Sequence, residues 1–135
     1  PYALELRGQR EWADIYRGIE AYIVFGRKKN APFPAQIAAS SLDGTNGLKL
    51  TGVATGDGAG TSVAGLGDIN GDKIGDVIIG APTIDPDAVE DAGGAYVVFG
   101  RKAPPANPIP AETSLGDLDG SNGFLIRGIA EYDYC

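Results

Sequence analysis

The apolar residues of this chain fall into short runs that are separated by turn-forming residues. The run at 95–99 is continuously apolar, which is typical of a strand covered on both faces. Glycine, proline and Asx residues lie between the runs and favour turns. We therefore predict four strands, at 61–66, 76–80, 94–100 and 123–128. No stretch of ten residues shows helical periodicity, and the best candidate, 11–16, is short.

Two segments recur along the chain and divide it into two similar units. The segment 21–28 returns at 95–102, an offset of 74 residues (95 − 21), and 42–47 returns at 118–123, an offset of 76 (118 − 42). We place an incomplete first unit at residues 1–60 and a second unit at 61–135. Repeated units of this kind stack, because one unit cannot bury its apolar face alone. Four short antiparallel strands per unit describe a β-propeller blade, so we expect an all-β fold.

The composition narrows the possible functions. Hydrophobic residues make up 43% of the 135 residues and 21 are glycine, which favours a buried core with many turns. The net charge of −7 (11 − 18) and the lack of a basic stripe argue against a nucleic-acid partner. No apolar run reaches 18 residues, so we expect no membrane span. Histidine is absent and the single Cys135 has no partner base, so we expect no enzymatic activity.

One loop carries a regular series of oxygen-bearing side chains. Asp68, Asn70, Asp72 and Asp76 occupy positions 1, 3, 5 and 9 of a nine-residue segment that leads directly into an apolar strand. Ca²⁺ takes six to eight oxygen ligands, so this spacing indicates a calcium-clamped hairpin rather than a catalytic site. An EF-hand does not fit, because it needs glycine at position 6 and glutamate at position 12, where this chain has lysine and isoleucine. A solvated hairpin of Asx turns without metal is the alternative.

Other acidic segments have a simpler interpretation. Asp117, Asp119 and Asn122 have the spacing of chelating groups, but the matching turn at 42–47 lacks the first carboxylate. The Asn-Gly pair in both copies favours a tight turn with positive φ. The segment 85–91 is interpreted as a solvated loop, with a binding role at a rim as the alternative.

With the acidic loop ahead of them, Gly80-Ala-Pro82 and Phe99-Gly100 make residues 61–128 resemble the FG-GAP repeat, and 18–60 resemble it less strongly. That family builds the β-propeller of integrin α subunits and of many bacterial surface or secreted proteins. The resemblance implies that the loop joins the first two strands of a blade. It also implies that the four side chains and the backbone carbonyl of Ile74 bind Ca²⁺. Lys73 stands where the family has glycine at positive φ, so we expect a weaker site.

The resemblance also implies a function and a setting. We expect a calcium-stabilised propeller segment, extracellular, on the cell surface or periplasmic, that binds a protein or a carbohydrate as integrin-like propellers do. Tyr132 and Tyr134 are the nearest candidates for a binding rim, and Trp12 is interpreted as a packing residue. Two alternatives stay open: a purely structural, self-assembling module, and a non-catalytic propeller attached to a larger secreted enzyme.

The repeat spacing predicts where the blades begin and end. Carrying the offset of 74 backwards aligns residues 2–8 with 76–82, so we expect the chain to begin within a blade and to end before another metal loop. Two blades alone leave open sheet faces and edges, which aggregate or find partners. The expected partners are therefore other blades of the same protein or further copies of this chain.

Overall fold

The computed structural model describes residues 2–5, 20–54, 56–102 and 109–131. Its strands are β1 (Tyr2–Glu5), β2 (Glu20–Val24), β3 (Gly47–Thr51), β4 (Ser62–Gly67), β5 (Asp76–Ala81), β6 (Gly94–Val98), β7 (Glu112–Ser114) and β8 (Gly123–Arg127). Short 3-10 helices lie at Ala39–Ser41, Pro86–Ala88 and Leu115–Asp117, and these ranges hold no longer helix. The all-β prediction is therefore confirmed. None of the helices in the described ranges has the length and hydropathy that crossing a membrane requires.

The eight strands form two sheets. The first sheet has the order β1-β2-β3-β7, and β7 runs parallel to β3. The second sheet has the order β4-β5-β6-β8 and is antiparallel throughout. The strands of the second sheet are the four that the sequence predicts, and their ends lie within two residues of the predicted ends. The described residues form no closed ring of sheets, so the propeller stays an expectation.

The internal repeat is visible in the strand pairing. β2 pairs with β3 in the same register as β6 with β8, since Tyr22 lies opposite Lys49 and Tyr96 lies opposite Leu125. These pairs keep the two offsets of the sequence, 74 (96 − 22) and 76 (125 − 49). The β2-β3 pair and the β6-β8 pair therefore follow the same plan.

β1 is the counterpart of β5, but the predicted alignment is wrong by one residue. Glu5 lies opposite Ala21 and Gly80 lies opposite Ala95, so Glu5 corresponds to Gly80 at an offset of 75 (80 − 5) rather than 74. The reason is the connection after the strand, which is one residue longer in the first unit (21 − 5 against 95 − 80). Strand pairing sets the register, and spacing along the sequence does not.

The sequence pattern does not predict β7, which links the two units. It has three residues, too few for an apolar period, and its partner lies in the other unit. The backbone N–H of Lys49 donates to the carbonyl of Ala111 over 2.8 Å, and Nζ of Lys49 lies 3.1 Å from Oε2 of Glu112. The second unit thus adds a strand to the sheet of the first.

The core lies between the two sheets. It joins one face of the first sheet, through Ala21, Ile23, Leu48 and Leu50, to a face of the second, through Val77, Ile79, Ala81 and Tyr96. Leu50 is 1% exposed. Burial of one such side chain contributes about 1.5–3 kcal/mol, so stacking of the sheets, rather than either sheet alone, stabilises the chain.

Candidate functional site

The predicted metal ligands lie in a single hairpin loop. β4 and β5 pair antiparallel, and Gly67 opposite Asp76 is the last pair before the loop. The register shifts between Gly65 and Gly67, which is an irregularity of the kind a β-bulge produces. The structure therefore places the acidic segment between the first two strands of the second sheet, as the resemblance implies.

Asp68 organises the first half of the loop. Its Oδ1 accepts hydrogen bonds from the backbone N–H groups of Gly71 (2.7 Å) and Asp72 (3.0 Å). Its Oδ2 accepts a third from the N–H of Lys73 (2.7 Å). Hydrogen bonds to a carboxylate are stronger than those between neutral groups, so one side chain folds the loop around itself.

Asn70 and Asp72 continue the same arrangement. Oδ1 of Asn70 accepts from the N–H of Asp72 over 3.1 Å, and Oδ1 of Asp72 accepts from the N–H of Ile74 over 2.8 Å. Both are Asx turns, in which a side chain accepts from the backbone two residues later. The side-chain amide of Asn70 also lies 3.3 Å from Oδ2 of Asp72. Three of the four predicted side-chain ligands are thus drawn together on exposed backbone.

Asp76 differs from the other three because it is buried. Only 2% of it is exposed, and it begins β5. Its Oδ2 accepts from the N–H of Ile69 (2.8 Å), and its Oδ1 accepts from the N–H of Gly100 (2.9 Å). Among the described lysines and arginines, none forms an ion pair with this carboxylate. A buried carboxylate whose partners are backbone N–H groups can accept a cation as a further partner.

Gly100 has a structural role that the sequence did not reveal. A Cβ atom at this position would overlap the carbonyl oxygen of Gly75 and the side chain of Ile74, so only glycine fits against the loop. At Gly26, the counterpart of Gly100, a Cβ atom would meet nothing within 4 Å. The glycine after Phe99 is therefore required by the acidic loop and not by the strand that precedes it.

The backbone at Lys73 has the conformation that the sequence predicts. Its φ is +68°, in the left-handed region, where a side chain costs roughly 1 kcal/mol relative to glycine. The loop thus has the positive φ that the resemblance implies, with lysine in place of glycine. This strain supports the expectation of a weaker site.

The donor set fits Ca²⁺ in its chemistry, but its carboxylates do not yet converge. Three carboxylates, an amide oxygen and a backbone carbonyl are the hard oxygen ligands that Ca²⁺ prefers. Within the described ranges, no three carboxylate, imidazole or thiolate side chains lie close enough together to hold a metal ion. In this structure Asp68, Asp72 and Asp76 are engaged with backbone N–H groups instead. Binding of Ca²⁺ by these side chains would therefore require them to move closer together.

The other acidic turns use their carboxylates internally. Oδ1 of Asp119 accepts from the hydroxyl of Ser121 (2.6 Å), which lowers the pKa of Asp119 below its usual value. The hydroxyl of Thr45 acts in the same way on Asp43. The turn interpretation fits both copies. Positive φ occurs at the glycine after each aspartate, Gly44 (+88°) and Gly120 (+94°). Of the two Asn-Gly pairs, only the second has it, at Gly123 (+149°).

Asp57 is a titratable residue that sequence reasoning missed. Partial burial raises its pKa, and the negative charge of Asp85 raises it further. Its Oδ2 accepts from the N–H of Ala54 over 2.8 Å, which opposes that rise. Burial likewise raises the pKa of Tyr96, with a smaller contribution from Asp57. Only the glycines on either side of Asp57 in the sequence hinted at a structured turn here.

The remaining candidates are less informative. In the loop 85–91, Oδ1 of Asp85 accepts from the N–H of Asp91 over 2.7 Å, so that carboxylate is used within the loop. Trp12, Tyr132 and the other candidates near the C-terminus lie outside the described residues.

An apolar cavity of about 340 Å³ opens between the sheets, and the loop residues Ile74 and Gly75 form part of its wall. The loop therefore borders the apolar space between the sheets.

No protein-family model, curated protein or solved structure matches this chain.

Proposed function

We propose that this chain is a calcium-stabilised segment of an extracellular β-propeller and that it acts in binding to a protein or a carbohydrate. The observation that carries the proposal is the acidic hairpin loop, in which Asp68 gathers three backbone N–H groups and Asp76 is buried. The loop carries three carboxylates within nine residues, and a cation bound among them would offset the repulsion that opposes bringing them together.

Calcium has a structural task in this proposal. Bound Ca²⁺ supplies positive charge and oxygen coordination at the hairpin. The residues that would hold it are Asp68, Asn70, Asp72, Ile74 and Asp76. The chain itself fixes the base of the loop, because the buried carboxylate at its end joins β5 to the segment after β6. Metal binding would therefore stiffen one end of the second sheet rather than take part in a reaction.

The propeller architecture is supported by the repetition of one plan in two stacked sheets. The same strand register occurs in both units, and one sheet packs face to face on the other. Units that stack in this way build propellers and related arrays. The extracellular setting is supported by the strained loop, since extracellular calcium modules work at dissociation constants of about 10⁻⁴–10⁻³ M.

A self-assembling structural module is the second candidate function. It is favoured by one observation: Ile126, the counterpart of the buried Leu50, is 48% exposed. An apolar face that is covered in one unit and open in the next suits association with a further sheet.

Calcium-dependent unfolding tests the proposal. Ca²⁺ at 100 times its dissociation constant should stabilise the chain by about 2.7 kcal/mol relative to chelator. Asp72→Ala should abolish this response of the melting temperature. Asp119→Ala is the matched control, since Asp119 also accepts hydrogen bonds within a turn, and it should keep the full response. An unchanged calcium response in Asp72→Ala would show that the loop is not the site.

The binding role is tested separately with a glycan array and a panel of extracellular matrix proteins. The chain should bind a defined member of either set in millimolar Ca²⁺ and lose that binding in chelator. A calcium-responsive chain that binds no member would contradict the binding role and leave the metal site standing.

A further inference from the structure

One segment of the second unit holds the first sheet at its edge. We call residues 109–114 the second arm. Ile109 is 7% exposed and lies in the core between the sheets. The carbonyl of Ala111 accepts from the N–H of Lys49, and Glu112 forms an ion pair with the same residue. The second arm therefore joins β3 through an apolar anchor, a backbone hydrogen bond and a charge pair.

The first unit contains the counterpart of this arm. Residues 33–38, the first arm, correspond to the second arm at the offset of 76 (109 − 33), and Pro-Ala follows the first residue of both. The 3-10 helices Ala39–Ser41 and Leu115–Asp117 come directly after the two arms at the same offset, which supports the alignment.

The first arm, however, is not docked. Phe33, the counterpart of the buried Ile109, is 49% exposed. Its ring lies 5.2 Å below the guanidinium of Arg27. Within the described residues, the backbone groups of Gln36 and Ile37 make no hydrogen bond. The arm thus has an exposed aromatic anchor and unpaired backbone groups in an extended segment.

The second sheet has an edge strand, β8, that matches the strand to which the second arm binds. β8 is the counterpart of β3 and is the last strand of its sheet in the described ranges. A Cβ atom on Gly44, in the turn before β3, would overlap the carbonyl of Ile109, whereas one on Gly120, in the turn before β8, would meet nothing within 4 Å. Among the described residues, no strand pairs with β8 in the way that the second arm pairs with β3.

We propose that copies of this chain associate head to tail, with the first arm of one copy adding as a parallel strand to β8 of the next. In this arrangement Gln36 lies beside Leu125 and Ile37 beside Ile126, by the register that pairs the second arm with β3. Phe33 takes the place of Ile109 and covers the apolar face next to the turn at Gly120.

A second copy is the occupant because each chain carries both halves of the joint. The same joint already forms once within the chain, so its geometry is compatible with this fold. Gln36 and Leu125 stand at the positions that Glu112 and Lys49 occupy in the chain's own joint, where the two form an ion pair. Neither Gln36 nor Leu125 is charged, so their pairing leaves no charged side chain without a partner. Because the two surfaces differ, the contact is heterologous and can add further copies in a ring or a filament.

The inference rests on the second candidate function, self-assembly, and does not depend on the calcium proposal. No residue of the 68–76 loop takes part in the joint. Failure of the calcium proposal would leave it untouched, and the association is to be measured in chelator. The net charge of −7 opposes association of copies, so salt should promote it by screening.

Light scattering of the 135-residue chain against concentration is the first test. The mass should rise from that of one chain towards multiples of it, more readily at high salt. Phe33→Asp and Ile126→Asp should each keep the chain monomeric without lowering its melting temperature in dilute solution. Val53→Asp, at an exposed apolar residue outside the joint, is the control and should still associate.

Disulfide cross-linking tests the register. In a Cys135→Ser background, chains carrying Gln36→Cys and chains carrying Leu125→Cys should form a cross-linked dimer when mixed. Phe124→Cys in place of Leu125→Cys should give much less, because adjacent strand residues face opposite sides. The intrachain equivalent, Lys49→Cys with Glu112→Cys, should close within one chain and report that the chemistry works.

Three results would overturn the inference. One is a mass that stays at that of a single chain at every concentration and salt. Another is association that survives both Phe33→Asp and Ile126→Asp, since the copies would then meet through a different surface. The third is an equal cross-link yield from Leu125→Cys and Phe124→Cys.

Discussion

The backbone N–H of Gly100 donates a 2.9 Å hydrogen bond to Oδ1 of Asp76. This bond joins the acidic loop, which precedes β5, to the Phe-Gly segment, which follows β6. The two motifs are 24 residues apart in the sequence (100 − 76), yet they form one structural unit. A change in either motif should therefore be felt by the other.

Gly100→Ala should weaken both stability and calcium binding. The added Cβ would push against the carbonyl of Gly75 and the side chain of Ile74, and overpacking of this kind costs about 1–3 kcal/mol. The displaced backbone carries the proposed carbonyl ligand, so calcium affinity should fall as well. Urea unfolding in chelator measures the first effect, and the calcium dependence of the melting temperature measures the second.

Gly26→Ala is the matched control for this substitution. Gly26 occupies the same place after its strand, but nothing lies within 4 Å of a Cβ atom there. It should leave stability within about 0.5 kcal/mol of the parent chain, as surface substitutions do. Equal losses in the two variants would mean that the glycine serves the strand end and not the loop.

The strands of the second sheet were predictable because their cause is local. Apolar runs bounded by glycine and proline mark β5 and β6, and the repeat carries the same reasoning to β2 and β3. The first part of the acidic loop was predictable for the same reason, since Asp68, Asn70 and Asp72 accept hydrogen bonds from backbone N–H groups two to five residues away. Interactions between residues this close in sequence can be recognised from a short segment of the chain.

The features that the sequence did not predict depend on distant partners. β7 forms because it pairs with the edge of β3 in the other unit. Its three residues are too few to show a hydrophobic periodicity. The offset of β1 depends on the length of a connection rather than on the strand. The raised pKa of Asp57 depends on burial and on Asp85, which is remote in sequence. These features can be recognised only in the three-dimensional structure, because the sequence of one segment does not show which distant segment it contacts.

Lys73→Gly should tighten calcium binding by up to about fivefold. The φ of +68° costs lysine roughly 1 kcal/mol, and glycine adopts it freely. The strain is present in the metal-free loop as well, so it lowers calcium affinity only as far as it makes the lysine chain populate other loop conformations. Because 1.4 kcal/mol corresponds to a tenfold change in affinity, about fivefold is the upper limit of the gain. Isothermal titration with Ca²⁺ measures it directly.

Lys73→Gln separates strain from charge in the same experiment. It removes the positive charge from the loop but keeps a side chain at positive φ. Its gain in affinity should therefore be smaller than that of Lys73→Gly. If the two variants gain equally, charge and not backbone strain weakens the site.

Asp57→Asn should stabilise the chain at neutral pH and do so less in acid. Burial and Asp85 raise the pKa of Asp57 in the folded chain above its usual value. Folding therefore favours the protonated form, and the stability from this group is present below the unfolded pKa and is lost as pH rises through the folded pKa. Asparagine is always neutral and keeps an oxygen for the N–H of Ala54, so it avoids that loss.

The difference in melting temperature between variant and parent should grow from pH 3 to pH 7. The lowered pKa values of Asp43 and Asp119 act equally on both proteins and cancel in this difference. A difference that is constant across this range would show that ionisation of Asp57 does not strain the fold.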